Sequence, residues 1–409
     1  MTHPPKVAVL CYHTSPLAQP GTGDGGGMNV YVRELSSAMA RAGMECDVYT
    51  RAYAPELPAS VSVEPGFRVH YITAGPRHPV PKEELEQFLP EFIAGVEATF
   101  AHLGQPDVIH ANYWLSGVAG HAIKHTTDCP LVSTFHTLAR VKTATHDAEP
   151  EARALAEQAV IGCSDMILAS CSVEAAQLVT LYGADPTRIE EVPLGVDHAY
   201  FSPGNRAGAR EALQIDAETG GPVLLFVGRI QPLKGADLAV RTLAGLERRA
   251  QLVIVGGPSG RDGLGEVERV HALVHDLGLD GRVRFVDPMG HHMLSTYYRA
   301  ADVVLVPSRS ESFGLVALEA GACGTPVVAA KVGGLQTIVE HGRTGLLVDG
   351  RAPCDWSAAV ERILADDELA CAMGQAASER SLRYAWSYTA ARLRRLYTDL
   401  RARSLVACS

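Results

Sequence analysis

No stretch of this 409-residue chain approaches the roughly 20 apolar residues that cross a bilayer. The first apolar run, residues 7–11, is too short for the core of a secretory signal. Positive charge is in deficit. Lys and Arg number 36 against 46 Asp and Glu, a net charge of −10, which excludes a generic nucleic-acid-binding surface. The nine cysteines include no C-x-x-C pair and are scattered. They read as reduced thiols of a cytoplasmic protein, with Cys11, Cys163 and Cys171 as small core residues. There is no G-x-x-x-x-G-K-[ST] phosphate loop, no H-E-x-x-H zinc pair and no G-x-S-x-G nucleophile elbow.

What is present suits a large layered fold. Hydrophobic residues make up 47% of the chain, enough for a sizeable core, and Gly (39) and Pro (24) supply many tight turns. Short apolar runs at 7–12, 46–50, 69–73, 108–110, 131–134 and 166–169 alternate with helical patterns, which predicts a parallel sheet covered on both faces. Pro193, Gly195, Pro203 and Gly204 interrupt this pattern. It restarts with strands at 223–227, 252–255, 283–285, 303–306 and 327–330. The expected fold class is α/β, two facing doubly wound (Rossmann-like) domains with a ligand cleft between them. The expected domains are residues 1–203, residues 204–383, and a C-terminal helix and tail, 384–409, packing back on the first. That helix carries Leu393, Leu396, Tyr397 and Leu400 on one side and a solvated arginine face on the other.

Three segments point to chemistry. Residues 21–27 hold five glycines and end where a helix begins, so backbone N–H groups there can approach an anion closely. Their distance from the preceding strand excludes a dinucleotide fingerprint. Arg229 and Lys234 lie on the loop after the strand at 223–227, and two cations in that position suit a diphosphate. Glu311 and Glu319 stand eight residues apart across a loop and the helix that follows it, able to accept from separated hydroxyls of one extended ligand. The chain has no D-x-D, the pair with which one class of sugar transferases holds a metal–diphosphate, so cationic side chains must neutralise a leaving diphosphate. The adjacent His291 and His292 read as a solvated loop pair.

The Arg229…Lys234 loop, the Glu311-x7-Glu319 segment and the two-domain pattern resemble the retaining GT-B glycosyltransferases of family 4. Residues 13–24 and 26–31, with the blocks 113–117, 136–138, 255–260 and 332–335, look like the D-inositol-3-phosphate glycosyltransferases of mycothiol biosynthesis. The resemblance implies that the backbone of Gly27 with Arg229 and Lys234 holds the donor diphosphate. Glu319 would accept from the ribose, Glu311 would lie by the donor sugar, and Ser312, Phe313, Gly314 and Leu315 would complete the donor site. His136 would lie at the reactive face. Lys82, Tyr113, Thr137 and Arg153 would take the acceptor phosphate, and Thr22, Gly23, Asp24 and Asn29 the inositol ring. Tyr298, Arg299, Ala301 and Thr325 match positions of an optional structural magnesium ion. No cofactor is required. A UDP-sugar is the favoured donor, with a GDP-sugar second. The implied protein is a cytoplasmic homodimer acting on a small-molecule donor and acceptor, with no membrane insertion.

The sequence departs from that pattern at Asn112, where the family usually has His, at Leu194, at Gly321-Ala322-Cys323, and in a shortened segment between Lys142 and Arg153. Two alternatives stay open. One is a natural-product paralogue glycosylating another small acceptor, such as a thiol-bearing metabolite; the other is a non-catalytic two-lobed binding protein.

Overall fold

The structure, a computed structural model, describes residues 4–21, 23–144, 149–215, 221–260 and 263–408. The chain forms two compact units. The first comprises Met1–Ala18, Met28–Gly195 and Trp386–Ser409, and the second Gln19–Gly27 and Val196–Ala385.

The first unit is built on an eight-stranded sheet: β1 (Lys6–Leu10), β2 (Glu45–Arg51), β3 (Ser60–Glu64), β4 (Phe67–Ile72), β5 (Val108–Asn112), β6 (Leu131–Thr134), β7 (Met166–Ala169) and β8 (Ile189–Glu191). The spatial order is β3-β4-β2-β1-β5-β6-β7-β8. Every pairing is parallel except the β3–β4 hairpin at one edge. The central strands are buried on both faces, which is why they read as continuous apolar runs. On one side Tyr12 packs on Phe92 with ring centroids 4.6 Å apart and donates from its hydroxyl to the Leu85 carbonyl. Further along the same face Phe135, Val160, Ile167 and Leu178 form a second cluster. The C-terminal helix Trp386–Leu400 buries Leu393, Tyr397 and Leu400, and the Tyr397 hydroxyl lies 2.9 Å from Nδ1 of His110 on β5. Of its arginines, Arg392 pairs with Glu190 and Arg394 donates to the Ala42 carbonyl. Among the described residues no helix is long and apolar enough to cross a membrane.

The second unit carries β9 (Val223–Val227), β10 (Gln251–Val255), β11 (Val283–Val286), β12 (Val303–Val306), β13 (Val327–Ala330) and β14 (Gly345–Val348). All pair in parallel, in the order β11-β10-β9-β12-β13-β14. Both units are thus doubly wound. Cys163 is not an isolated core thiol: its side chain meets that of Cys408, with Cα atoms 5.2 Å apart, while the other seven cysteines stay free.

Candidate functional site

A doubly wound sheet binds ligands where its strand order reverses, beyond the C-terminal ends of the strands, because the two flanking loops diverge there. In the second unit that point lies between β9 and β12, since β9 is followed in sequence by β10 on one side and flanked by β12 on the other. The loop after β9 carries Arg229 and Lys234, and the loop after β12 carries Glu311. The structure brings these two loops together. Lys234 Nζ lies 2.6 Å from Glu311 Oε2, and Ser308 Oγ lies 3.1 Å from the same oxygen. Arg229 Nη1 donates to Ser259 Oγ at 3.1 Å, and that hydroxyl donates to the Gly23 carbonyl at 2.9 Å. The glycine segment therefore lies against the second unit. A Cβ on Gly26 would come 3.2 Å from Arg229 Nε, and one on Gly27 would come 3.5 Å from Leu315.

The carboxylate of Glu311 is placed by its own backbone. Its carbonyl accepts from the Gly334 N–H at 2.9 Å. Gly333 has φ +45°, and any Cβ there would fall 1.9 Å from the Glu311 carbonyl oxygen, so only glycine lets these segments meet. Ser312 and Phe313 follow, Phe313 being buried, and Gly314 adopts φ +104° to open the helix Leu315–Ala322. On that helix Glu319 is buried. Its Oε1 lies 2.7 Å from His291 Nε2, and its Oε2 accepts from the Tyr298 hydroxyl at 2.8 Å. His291 is thus an ordered partner of Glu319, which corrects its reading as a solvated loop residue. Burial and the adjoining Glu319 carboxylate push the Tyr298 hydroxyl far above its ordinary pKa, so it remains a donor. The Tyr298 carbonyl accepts from Thr325 Oγ1, Arg299 donates to the Ser202 carbonyl, and the Ala301 N–H is used within its own helical turn. This set offers no carboxylate to a magnesium ion, and no step is assigned to one.

In the first unit the order reverses at β1, which lies between β2 and β5. Two residues at the ends of neighbouring strands adopt left-handed backbone conformations that cost non-glycine residues energy, Tyr113 (φ 76°) after β5 and His136 (φ 61°) after β6. His136 Nε2 lies 2.9 Å from Oδ1 of Asn112, so the residue that departs from the family pattern is the one that orients this imidazole. Loss of hydration, reinforced by His110 and His13, drives the pKa of His136 down to about 3, and burial does the same for His110. Both rings are neutral near pH 7. Because their folded pKa values lie below the unfolded value of about 6.5, their contribution to stability is present above that pH and is lost as pH falls towards 3. We expect the denaturation midpoint of the first unit to fall on acidification between pH 6.5 and 4. Replacing His110 with Asn, which does not titrate, should flatten that slope.

Arg153 is not a free cation awaiting a ligand. It is buried, with Nε 2.8 Å from Glu157 Oε1, Nη1 3.0 Å from Glu149 Oε2, and Nη2 donating to the carbonyl and hydroxyl of Thr137. Its guanidinium lies 5.0 Å over the Tyr113 ring. Burial opposes its charge, but Tyr113, Glu157 and Glu149 more than compensate. Lys142 also pairs with Glu149. Asn29 donates from Nδ2 to Thr14 Oγ1 at 2.8 Å and to the Ser15 carbonyl, while Lys82 opens the 3-10 turn Lys82–Phe88. Gly23 is exposed and Asp24 half-buried; Thr22 lies outside the described residues, as do residues 145–148 of the shortened segment.

The chain matches the family model of 4-like glycosyl transferase domains over residues 26–195 and that of group 1 glycosyl transferases over residues 210–380. It is 47% identical over 416 residues to D-inositol 3-phosphate glycosyltransferase 2 of Catenulispora acidiphila, covering 98% of this chain and 97% of the relative. The chain belongs to the GT-B glycosyltransferases of family 4. A D-inositol 3-phosphate glycosyltransferase of Xylanimonas cellulosilytica is 46% identical to this glycosyltransferase, over 97% of both chains. The solved sucrose-phosphate synthase of Thermosynechococcus elongatus superposes with a TM-score of 0.92 at 35% identity, covering 98% of this chain and all of the other. Anabaena HepE, solved with UDP and glucose, shares the fold at a TM-score of 0.78 and 20% identity, covering 97% and 100%.

Proposed function

We propose that this glycosyltransferase moves N-acetylglucosamine from a UDP-sugar to 1D-myo-inositol 3-phosphate with retention of configuration. The observation that carries the donor half is the Arg229, Lys234 and Glu311 cluster at the strand reversal of the second unit. The name shared by its near full-length relatives supports the acceptor half. Arg229 and Lys234 neutralise the departing diphosphate, a role that matters most once water is excluded. The Lys234 ammonium has three donors, so Glu311 and a phosphate oxygen are served together. The Glu319 carboxylate has about four acceptor sites, and His291 and Tyr298 leave room for ribose hydroxyls. His136, neutral and fixed by Asn112, presents a hydrogen-bonding group without adding charge at the reactive face. No carboxylate nucleophile is assigned; the diphosphate takes the acceptor proton.

The engagement of Arg153 by Glu149 and Glu157 favours a second reading, a paralogue with a neutral or zwitterionic acceptor. The two are separated by Glu149→Gln. If an anionic acceptor uses Arg153, it competes with the Glu149 carboxylate, and the substitution lowers the KM for inositol phosphate by about 10-fold, one charged hydrogen bond's worth. Products are identified by mass across a panel of donors and acceptors. Transfer to a neutral acceptor alone, with inositol phosphate inert in both proteins, selects the paralogue.

A further inference from the structure

Away from both candidate sites, four groups that metals favour meet on the first unit. His121 and His125 lie four residues apart, on one face of the helix Trp114–Thr127. Cys163 ends the helix Glu151–Cys163, and Cys408 comes from the C-terminal tail. The two Nε2 atoms are 3.1 Å apart. His125 Nε2 lies 3.7 Å from Cys163 Sγ and 3.5 Å from Cys408 Sγ, and all four ligand atoms fall within 4.8 Å of one another. We propose that His121, His125, Cys163 and Cys408 form a structural zinc site that fastens the C-terminal tail to the first unit.

The nitrogen–nitrogen and nitrogen–sulfur distances suit the ion, and the two sulfurs, which touch in the structure, part to about 3.8 Å to bind it. Tetrahedral zinc, with Zn–N of about 2.0–2.1 Å and Zn–S of about 2.3 Å, separates nitrogen from nitrogen by about 3.4 Å and nitrogen from sulfur by about 3.6 Å. Two thiolates with two imidazoles select zinc over magnesium or calcium, and four protein ligands leave no open position, so the role is structural. A Cys163–Cys408 disulfide explains neither histidine. It would also be a lone disulfide beside seven free cysteines, of which Cys354 and Cys371 are exposed, a pattern of thiols kept reduced. In the zinc form both cysteines bind as thiolates, and two thiol protons are released.

The surroundings deliver the tail to this point. Lys124 and Asp165 form a buried ion pair at 2.8 Å. Lys124 Nζ donates to the Cys163 carbonyl at 2.7 Å and to the Val406 carbonyl at 3.1 Å, and Asp165 Oδ1 accepts from the Val406 N–H at 2.6 Å. Cys408 thus enters a register already set two residues earlier. The site ties together positions 245 residues apart, where a cross-link restricts the unfolded chain most.

The test uses the full chain, purified in a non-thiol reductant without chelator. Elemental analysis is expected to give about one zinc per chain. Cobalt(II) in its place should show thiolate-to-metal charge transfer and the intense visible bands of tetrahedral cobalt. Cys408→Ser and His125→Ala should each abolish both signals, whereas Cys371→Ser keeps them. Chelation should lower the melting temperature of the parent protein but not of Cys408→Ser, which changes only the tail and leaves the core intact. Absence of zinc and of cobalt uptake in the reduced protein overturns the proposal. So does full metal content in Cys408→Ser, or a metal-free protein with seven titratable thiols after non-reducing denaturation.

Discussion

Lys234→Ala is expected to reduce turnover by about 10²–10³-fold at saturating donor while leaving the melting temperature close to that of the parent protein. The magnitude is that of losing one preorganised donor to charge that develops in the transition state. The stability half follows from position. Lys234 lies on the loop between β9 and the helix Ala236–Ala244, its side chain 24% exposed, so truncation opens no core cavity. Glu311 loses its cation but keeps Ser308 and is reached by water. Both kcat and kcat/KM should fall, because the contact strengthens as the diphosphate departs. Near-parent turnover would remove Lys234 from the catalytic machinery.

Arg153→Ala is expected to cost about 3–5 kcal/mol of stability in the first unit, the penalty for stripping a buried carboxylate of its cation. Glu157 is fully buried and would retain only the Ala139 N–H and the Tyr182 hydroxyl as donors. Denaturant midpoints measure the loss, and Arg153→Ala with Glu157→Gln should recover much of it by removing the orphaned charge. An arginine serving the acceptor alone would behave differently: its truncation would raise acceptor KM and leave the midpoint unmoved.

Most central strands were legible in the sequence because a parallel strand buried on both faces is written as a continuous apolar run. Residues 131–134, 166–169, 223–227, 303–306 and 327–330 match the observed strands end for end. β3 was missed because Ser60-Val61-Ser62-Val63-Glu64 alternates, as a strand with no fully buried residue does, and pairs antiparallel through a turn at Gly66. β14 was missed because its four residues lie close after turn-forming Gly342 and supply little pattern. The candidate donor-site residues were visible as types and spacings, since cations after one strand and acids after another are local features. Their partners were not. His291 meets Glu319 across 28 residues and two separate helices, so no periodicity links them. The neutralisation of Arg153 was hidden for a similar reason: Glu157 and Glu149 look like ordinary helix-surface acids until burial makes the i,i+4 pairs ionic partners. Asn112 was noticed as a departure, but only the fold shows that it holds His136.

The central claim is sugar transfer to an inositol phosphate by a donor site built on Arg229 and Lys234. It is tested most directly by incubating the protein with UDP-N-acetylglucosamine and 1D-myo-inositol 3-phosphate, then reading product mass and anomeric configuration by nuclear magnetic resonance. The account predicts one N-acetylglucosamine joined to the acceptor with the donor's α configuration, and UDP released in equal amount only when acceptor is present. UDP release without an acceptor-linked sugar, or a product of inverted configuration, would contradict it.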